Sequence, residues 1–565
     1  MSSAMATVQL LARRLRKVPE SAPLLPALNE FRNQRSILRA VERTLASSGE
    51  ARAIATPHSA ASETGAAAFQ AGGNAVDAAL AAAVTLAVAY PHNCAVGGDL
   101  FALVRRPDGG VIAINASGAA PAGLTVDSMH ASDGSFAERG PFTITVPGVV
   151  GGWDALSELG SRFGFRNAFE PAIGFAANGL PVARSLAAAI ADDKEILLSD
   201  PGCARSFYPR GRPLREGDIL RQPTLAQTLA ALANEGPSAV YGGEVGRSWI
   251  HTLNALGSPM TLRDLEAYRA EVTQPLVGSY QDLEVFVSPP NSQGFVLLEV
   301  LATIERLGLD PDPLGVDAPI LAEVFHRTSA DRARFLADPR RAPVPIEGLL
   351  SEENLTRIAE DVLRGVGSAK VSPPPSGDTV ALVAADREGW AVSVIQSLFD
   401  SFGSGVLDQG TGVILHNRGA GFSLDPASPN VLDGMKRPMH TLMPVIALRL
   451  GALAAACGSM GGGGQPQINA MSLMRRFGLG MKTSHILQAP RWLLGGMGVE
   501  AHSTVVEAES RVSPRTISTF HEAGFRVNRL DEWSEEVGQA NVIFLDDGSF
   551  EVATDPRGDG SALAG

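Results

Sequence analysis

The apolar positions of this chain change period from one stretch to the next. From Ala53 the text reads IATPHSAASETGAAAFQAGGNAVDAALAAAVTLAVAYPHN, an Ala-rich helix that Ser59 or Ser62 can cap and that Gly72 and Gly73 end. Asn74 then caps a second helix, apolar nearly all round and therefore central. Its run Ala75 to Tyr90 is shorter than the ~20 residues a membrane span needs and contains Asp77, so a buried helix is expected. Beyond the Gly97-Gly98 turn, Leu100 to Arg105 and Val111 to Asn115 form a hairpin signature around Pro107-Asp108-Gly109-Gly110. Ile144 to Val146 reads as a strand and Trp153 to Phe163 as a helix.

Helical periodicity dominates from about 155 to 370, as in Leu225 to Ala233, Leu265 to Tyr268 and Ile320 to Phe335. A strand-like VGSYQDLEVFVSPP interrupts it near Tyr280. The segment VSPPPSG, Val371 to Gly377, is incompatible with a helix. Two short apolar runs follow at once, Thr379 to Ala385 and Ala391 to Ser397, joined by a turn at Asp386 to Gly389. Strands at Val445 to Leu450 and Val542 to Leu545 alternate with helices at Asn469 to Arg476 and Pro514 to Ala523. The mixture implies a layered α/β assembly.

Length and composition narrow the function. A chain of 565 residues exceeds what one small core needs, and its 45% hydrophobic content is that of a globular protein. A net charge of −13 argues against nucleic acid as a partner. Cys94, Cys203 and Cys457 lie far apart with no CxxC pair, which suits a reducing, cytoplasmic compartment and excludes a thiolate zinc site. The histidines show no HExxH spacing, so neither metal nor cofactor is indicated. Residues 1–51 carry Arg13, Arg14, Arg16 and Lys17 before Pro19-Glu20-Ser21, which reads as a helical surface extension rather than a secretory signal.

Two places invite chemistry. Gly461-Gly462-Gly463-Gly464 lacks the Lys-Ser/Thr of a phosphate loop; it is either a flexible turn or a site where bare N–H groups face an oxyanion. Thr379 opens a strand directly after the proline-rich loop and Gly377-Asp378. A threonine there is ordinary unless the Asp378–Thr379 bond is cut. Cleavage would give Thr379 an α-amine of pKa roughly 7.7–8.0, able to take the proton of its own hydroxyl.

Over residues 52 to 565 the chain resembles the γ-glutamyltransferase family. The similar blocks are ATPHSAASETG, GGNAVDAALAAA, ITVPGVVGGWDAL, LRQPTLAQTLAALANEG, TLRDLEAYRAEV and PPNSQG, then GDTVALVAADREGWAVSVIQSLFDSFGSG, KRPMHTLMP, GSMGGGGQPQ and TDPRGDG, all in order. The resemblance implies a four-layer αββα Ntn-hydrolase sandwich whose precursor cuts itself into a large subunit (52–378, after the extension) and a small one (379–565). It implies Thr379 as nucleophile, Ser397 as the hydroxyl that hydrogen-bonds it, and Gly461 and Gly462 as the oxyanion site. The subunits of one precursor are then each other's partners, with a homodimer of such heterodimers as a further option.

In the family's terms the substrate pocket departs from the γ-glutamyl pattern. Ser117 stands where an arginine would hold the α-carboxylate, and Gly421 where an aspartate would receive the α-ammonium. Phe399 replaces an asparagine, and His440 and Thr441 replace tandem serines. Arg418 replaces a neutral amide and is suited to bidentate carboxylate capture. Arg418, His440, Thr441 and Ser459 are therefore the expected substrate-binding residues. The alternative for Arg418 is a surface ion pair with Asp425 or Asp408. The set IQS, FGSG, NRG, KRPMHTL and GSMGGGGQPQ is similar to the branch that includes oxamate amidohydrolase. Hydrolysis of a small acid amide is thus the leading expectation. A γ-glutamyl hydrolase or transferase with a rearranged pocket is the second, and an uncleaved binding or structural protein the third.

Overall fold

The computed structural model describes residues 44–129, 137–309, 312–365, 378–498 and 504–565. The expected helical extension lies outside these residues up to 43, as does the loop Val371 to Gly377.

Two large sheets organise the described residues. Their strands begin with β1 (Ala46–Gly49), β2 (Arg52–Thr56), β3 (Asp99–Arg105), β4 (Val111–Ala116), β5 (Glu271–Thr273), β6 (Leu276–Tyr280) and β7 (Leu283–Val287). The later ones are β8 (Asp378–Asp386), β9 (Ala391–Phe399), β10 (Val445–Arg449), β11 (Ala452–Met460), β12 (Gln539–Asp546), β13 (Ser549–Thr554) and β14 (Ser561–Ala564). The first sheet runs β14-β2-β8-β9-β3-β4-β5 and the second β1-β13-β12-β11-β10-β7-β6. Each contains strands from before and after residue 378, so the two expected subunits share both sheets.

Side-chain alternation assigns the faces. On β8 and β9, Val380, Leu382, Ala384, Val392 and Val394 join a core with the helices α1 (Ser59–Gln70), α2 (Ala75–Ala89) and α3 (Val149–Gly160). Their neighbours Val383, Ala385 and Ala391 pack instead against Ile446, Ala456, Ile543 and Val552 of the second sheet. The far face of that sheet, with Val445, Ala447, Val542 and Phe544, meets the helices α4 (Gly294–Leu307), α5 (Ala318–Phe335) and α6 (Gln465–Leu473). The order is helices, sheet, sheet, helices. This is the expected αββα arrangement.

The central helix is as its composition requires: every residue of α2 is buried, and Asn74 caps it in a reciprocal box with Asp77. Three local expectations change. The cap of α1 is His58, whose ring accepts from the Ala60 N–H, rather than Ser59 or Ser62. Ile144 to Val146 joins neither sheet; the Val146 N–H donates to Ala119 O in a loop. The last residues of the supposed helical extension form β1, which pairs with β13 at the sheet edge. ASSG lacks an apolar helical stripe, and its backbone finds partners along an existing strand. No helix among the described residues is long and apolar enough to cross a membrane.

Candidate active site

Three neighbouring strands present a row of polar side chains on one face of the first sheet. Thr379 lies near the start of β8, and its Oγ1 donates to Ser397 Oγ on β9 at 3.1 Å. Ser397 pairs in register with Asp99 on β3, and directly opposed residues share a face. All three are nearly inaccessible to solvent. The face is the one turned towards the second sheet, because Ala381 and Ile395, next along the same period, pack there with Phe101. The β8–β9 register shifts between Asp378 and Val380, a bulge beside the expected cleavage point. Phe399 at its edge takes a φ of +82° and donates its N–H to Ser397 Oγ at 2.8 Å.

Arg418 sits against this row. It lies at the start of a 3₁₀ turn, is 1% exposed, and its guanidinium carbon stands 4.1 Å from the centre of the Phe399 ring. Its Nε and Nη2 have no hydrogen-bond partner among the described residues. Neither proposed surface partner takes it: Asp408 accepts from Ser248, Thr252 and Thr411, and Asp425 from the Ala427 N–H in its own turn. Burial lowers Arg418 to about 10, against the pull of Asp99 and Asp400, so it stays charged at neutral pH. A buried cation with uncommitted N–H groups calls for an anion.

Asp99 was invisible in the sequence and is the anionic centre of the site. One oxygen lies 3.1 Å from His440 Nε2 and 3.4 Å from His416 Nδ1; the other accepts from the Gly148 N–H. Burial would raise this carboxyl, but the two imidazoles outweigh it and hold Asp99 well below the usual carboxylate range. Burial, with Arg418 nearby, pushes His440 down to about 3 despite Asp99, so its ring is neutral. Its Nε2–H serves Asp99 while Nδ1 accepts from the Leu442 N–H at 3.4 Å. His440 therefore has its ring nitrogens engaged, and one side of its ring packs on Phe101 at 4.7 Å.

The glycine run follows β11 at the edge of the same space. Gly458 packs against Ala381 and Ile395, which brings the strand end towards Thr379. Gly461 has φ 148° and Gly462 φ 51°, conformations that disfavour side chains. Gly463 N–H donates to Met497 O and Gly464 N–H to Gly461 O, whereas Gly462 opens the 3₁₀ turn, where an N–H has no partner within the helix. Thr441 is buried nearby, its carbonyl held by Gln293 Nε2 at 2.7 Å, and Gln293 also donates to Gly462 O at 2.9 Å. Ser459 does not join this group. Alternation along β11 turns it to the opposite face, where Asn469 Nδ2 of α6 donates to it at 3.4 Å.

The family model described as Gamma-glutamyltranspeptidase matches residues 61–565. Curated relatives extend over nearly the whole chain, two of them as follows. The oxamate amidohydrolase proenzyme of Klebsiella pneumoniae is 36% identical over 90% of this chain and 97% of its own length. The glutathione hydrolase-like YwrD proenzyme of Bacillus subtilis is 34% identical over 91% and 98%. The crystal structure of cephalosporin acylase from Bacillus halodurans superposes with a TM-score of 0.84 at 30% identity, covering 93% of this chain and 98% of that one. The chain belongs to the gamma-glutamyltranspeptidase family of enzymes.

Ser117 and Gly421, which the resemblance placed where γ-glutamyl-binding residues would stand, are engaged within the protein. Ser117 is tied into a buried amide network, its Oγ donating to Asn115 Oδ1 at 2.7 Å and accepting from Asn291 Nδ2 at 3.2 Å. The Gly421 carbonyl accepts from Asn430 at 2.7 Å, and a Cβ there would lie 3.6 Å from Met439 O. Sequence reading missed Asp99, His416 and Gln293. Only Gln293 lay inside a quoted block that carried no assignment. Among the described residues no group of three or more His, Cys, Asp or Glu could hold a metal ion, and the three cysteines are buried and free.

Proposed function

We propose that the chain is a self-cleaving amidohydrolase that opens a small amide carrying a nearby carboxylate, with Thr379 as nucleophile and Arg418 as anchor. The observation that carries this reading is the Thr379–Ser397 hydroxyl pair, 3.1 Å apart, beside a buried Arg418 with uncommitted N–H groups. The proenzyme names of the relatives support a processing step.

In the precursor, Thr379 Oγ attacks the carbonyl carbon of Asp378. The peptide C–N bond breaks, its nitrogen takes a proton, and water then hydrolyses the resulting ester. The mature Thr379 amine removes the Oγ proton as oxygen attacks the substrate amide. The N–H groups of Gly461 and Gly462 stabilise the tetrahedral oxyanion, and the amine leaves with a proton from the Thr379 ammonium. Water hydrolyses the acyl-threonine by the same route. Arg418 holds the carboxylate throughout. Ser397 accepts from the Thr379 hydroxyl and orients it before attack. His440 and Thr441 shape the wall next to Arg418 rather than bind charge.

Mass spectrometry of the purified protein tests the cut: a small fragment beginning at Thr379 is expected, and an active intact chain would overturn the mechanism. Thr379→Ala is expected to remain one inactive chain. Assays with oxamate and with γ-glutamyl-p-nitroanilide test the substrate; turnover of the second alone would replace the acid-amide reading with a γ-glutamyl one.

A further inference from the structure

A second buried arginine stands behind the glycine turn. Arg332 lies on α5, is 2% exposed, and has no carboxylate within ion-pair distance among the described residues. Its neighbour Asp331 turns to Arg357 instead. Arg332 Nη1 donates to Gly463 O at 2.7 Å and to Gln293 Oε1 at 2.9 Å. Gln293, itself fully buried, spends its amide N–H groups on Gly462 O and Thr441 O. Two adjacent carbonyls of the turn are thus pulled to one side by a guanidinium and by the amide it orients. The turn admits no side chain here: a Cβ on Gly463 would meet Gly498 O at 1.9 Å and Arg332 Nη1 at 3.1 Å.

The arrangement continues to the first sheet. Thr441 is covalently next to His440, which Asp99 holds, and Asp99 pairs with Ser397. Hydrogen bonds, one covalent step from Thr441 to His440 and the pairing of Asp99 with Ser397 therefore connect the row containing Thr379 with the glycine turn on the other sheet. An unpaired buried cation costs stability, so its retention needs a reason other than packing. A positive charge behind a turn whose forward N–H groups meet an oxyanion favours the charged intermediate over the neutral substrate.

We propose that Arg332, acting through Gln293 and Gly463, is a positioning residue that fixes the glycine turn and lends it positive charge for oxyanion stabilisation. The inference rests on the reading of Thr379 and the glycines given above. It predicts a defect in the chemical step, not in binding.

The test uses the full-length processed enzyme and p-nitrophenyl acetate, a small activated ester that needs no anion anchor, with oxamate in parallel. Arg332→Met is expected to lower kcat by roughly 10- to 100-fold with KM changed less than about 2-fold, and Arg332→Lys to recover most of that loss. Gln293→Leu, which keeps the charge but releases Gly462 O, is expected to fall between them. Loss of nitrophenolate release in Thr379→Ala establishes that the ester reports on the site; release undiminished by that change would instead sink the reading of Thr379. With Thr379→Ala silent, a folded, cleaved Arg332→Met of unchanged kcat overturns the positioning role. So does failure of both Arg332→Met and Gln293→Leu to fold, which would make the pair purely structural.

Discussion

Two of the regions in which this protein buries arginine do so in opposite ways. Near the C-terminus, Arg557 meets Glu509 with Nε at 2.9 Å and Nη2 at 2.7 Å, and Asp555 with Nη1 at 2.9 Å. Arg491 takes the other Asp555 oxygen at 2.7 Å and gives a second N–H to Gly538 O. The carboxylates also accept the backbone N–H groups of Ala540 and Arg491. At the candidate site, Arg418 is equally buried, yet its Nε and Nη2 meet no acceptor among the described residues. The first region is closed on itself and ties strands, loops and helices together. The second holds unspent hydrogen-bonding capacity that a ligand can use.

The contrast can be tested by removing one charge from each region. Asp555→Asn should have the largest effect on stability, because it leaves two buried guanidinium groups short of one anion. A loss of about 3–5 kcal/mol is expected at neutral pH, measured by denaturant unfolding. A variant as stable as the parent would break the comparison. Burial opposes ionisation of Asp555, but Arg491 and Arg557 hold it below its ordinary range. A depressed carboxyl stabilises the fold above its unfolded pKa of roughly 4 and stops doing so as pH falls through its folded value. The gap between parent and variant should therefore narrow progressively below about pH 4; a gap constant down to pH 2 would contradict the assignment.

Arg418→Leu should show the reverse pattern. Removing an unpaired buried charge is expected to leave Tm equal or higher. Loss of a charge-assisted anchor, worth about 1.5–3 kcal/mol for each bond, should reduce kcat/KM for oxamate at least about 100-fold. A drop in stability like that of Asp555→Asn would place Arg418 with the structural arginines. Arg418→Lys keeps the charge but not the planar fork, so a smaller loss of about 10-fold, mostly in KM, sharpens the point. The smallest effect is in the pH profile. Burial brings Arg418 down to about 10, so KM for a carboxylate substrate should rise above that pH in the parent and stay flat in Arg418→Leu.

Much of the fold was legible along the chain. The Ala-rich α2, its Asn74 cap and the β8–β9 hairpin follow from local composition and period, which act over a few residues. The reading faltered where the decisive partner was distant in sequence. ASSG becomes β1 because β13, some 500 residues later, offers its edge. Ser459 carries a plausible residue type in a plausible block, but one step of β alternation turns it to the helical layer. Asp99 gave no signal because an aspartate at a strand start is common; its meaning comes from His416 and His440, more than 300 residues away.

By itself the sequence carried the resemblance to the family, the order of its blocks and, through that resemblance, the expectation that Thr379, Ser397 and the glycine run are the place to look for acyl transfer. Those depend on residue identity and short-range geometry. Only the tertiary structure decided which buried charges are satisfied and which are not. Pairing in a folded core joins groups that the chain keeps far apart. Solvent exclusion then makes each unpaired donor costly enough to mean something.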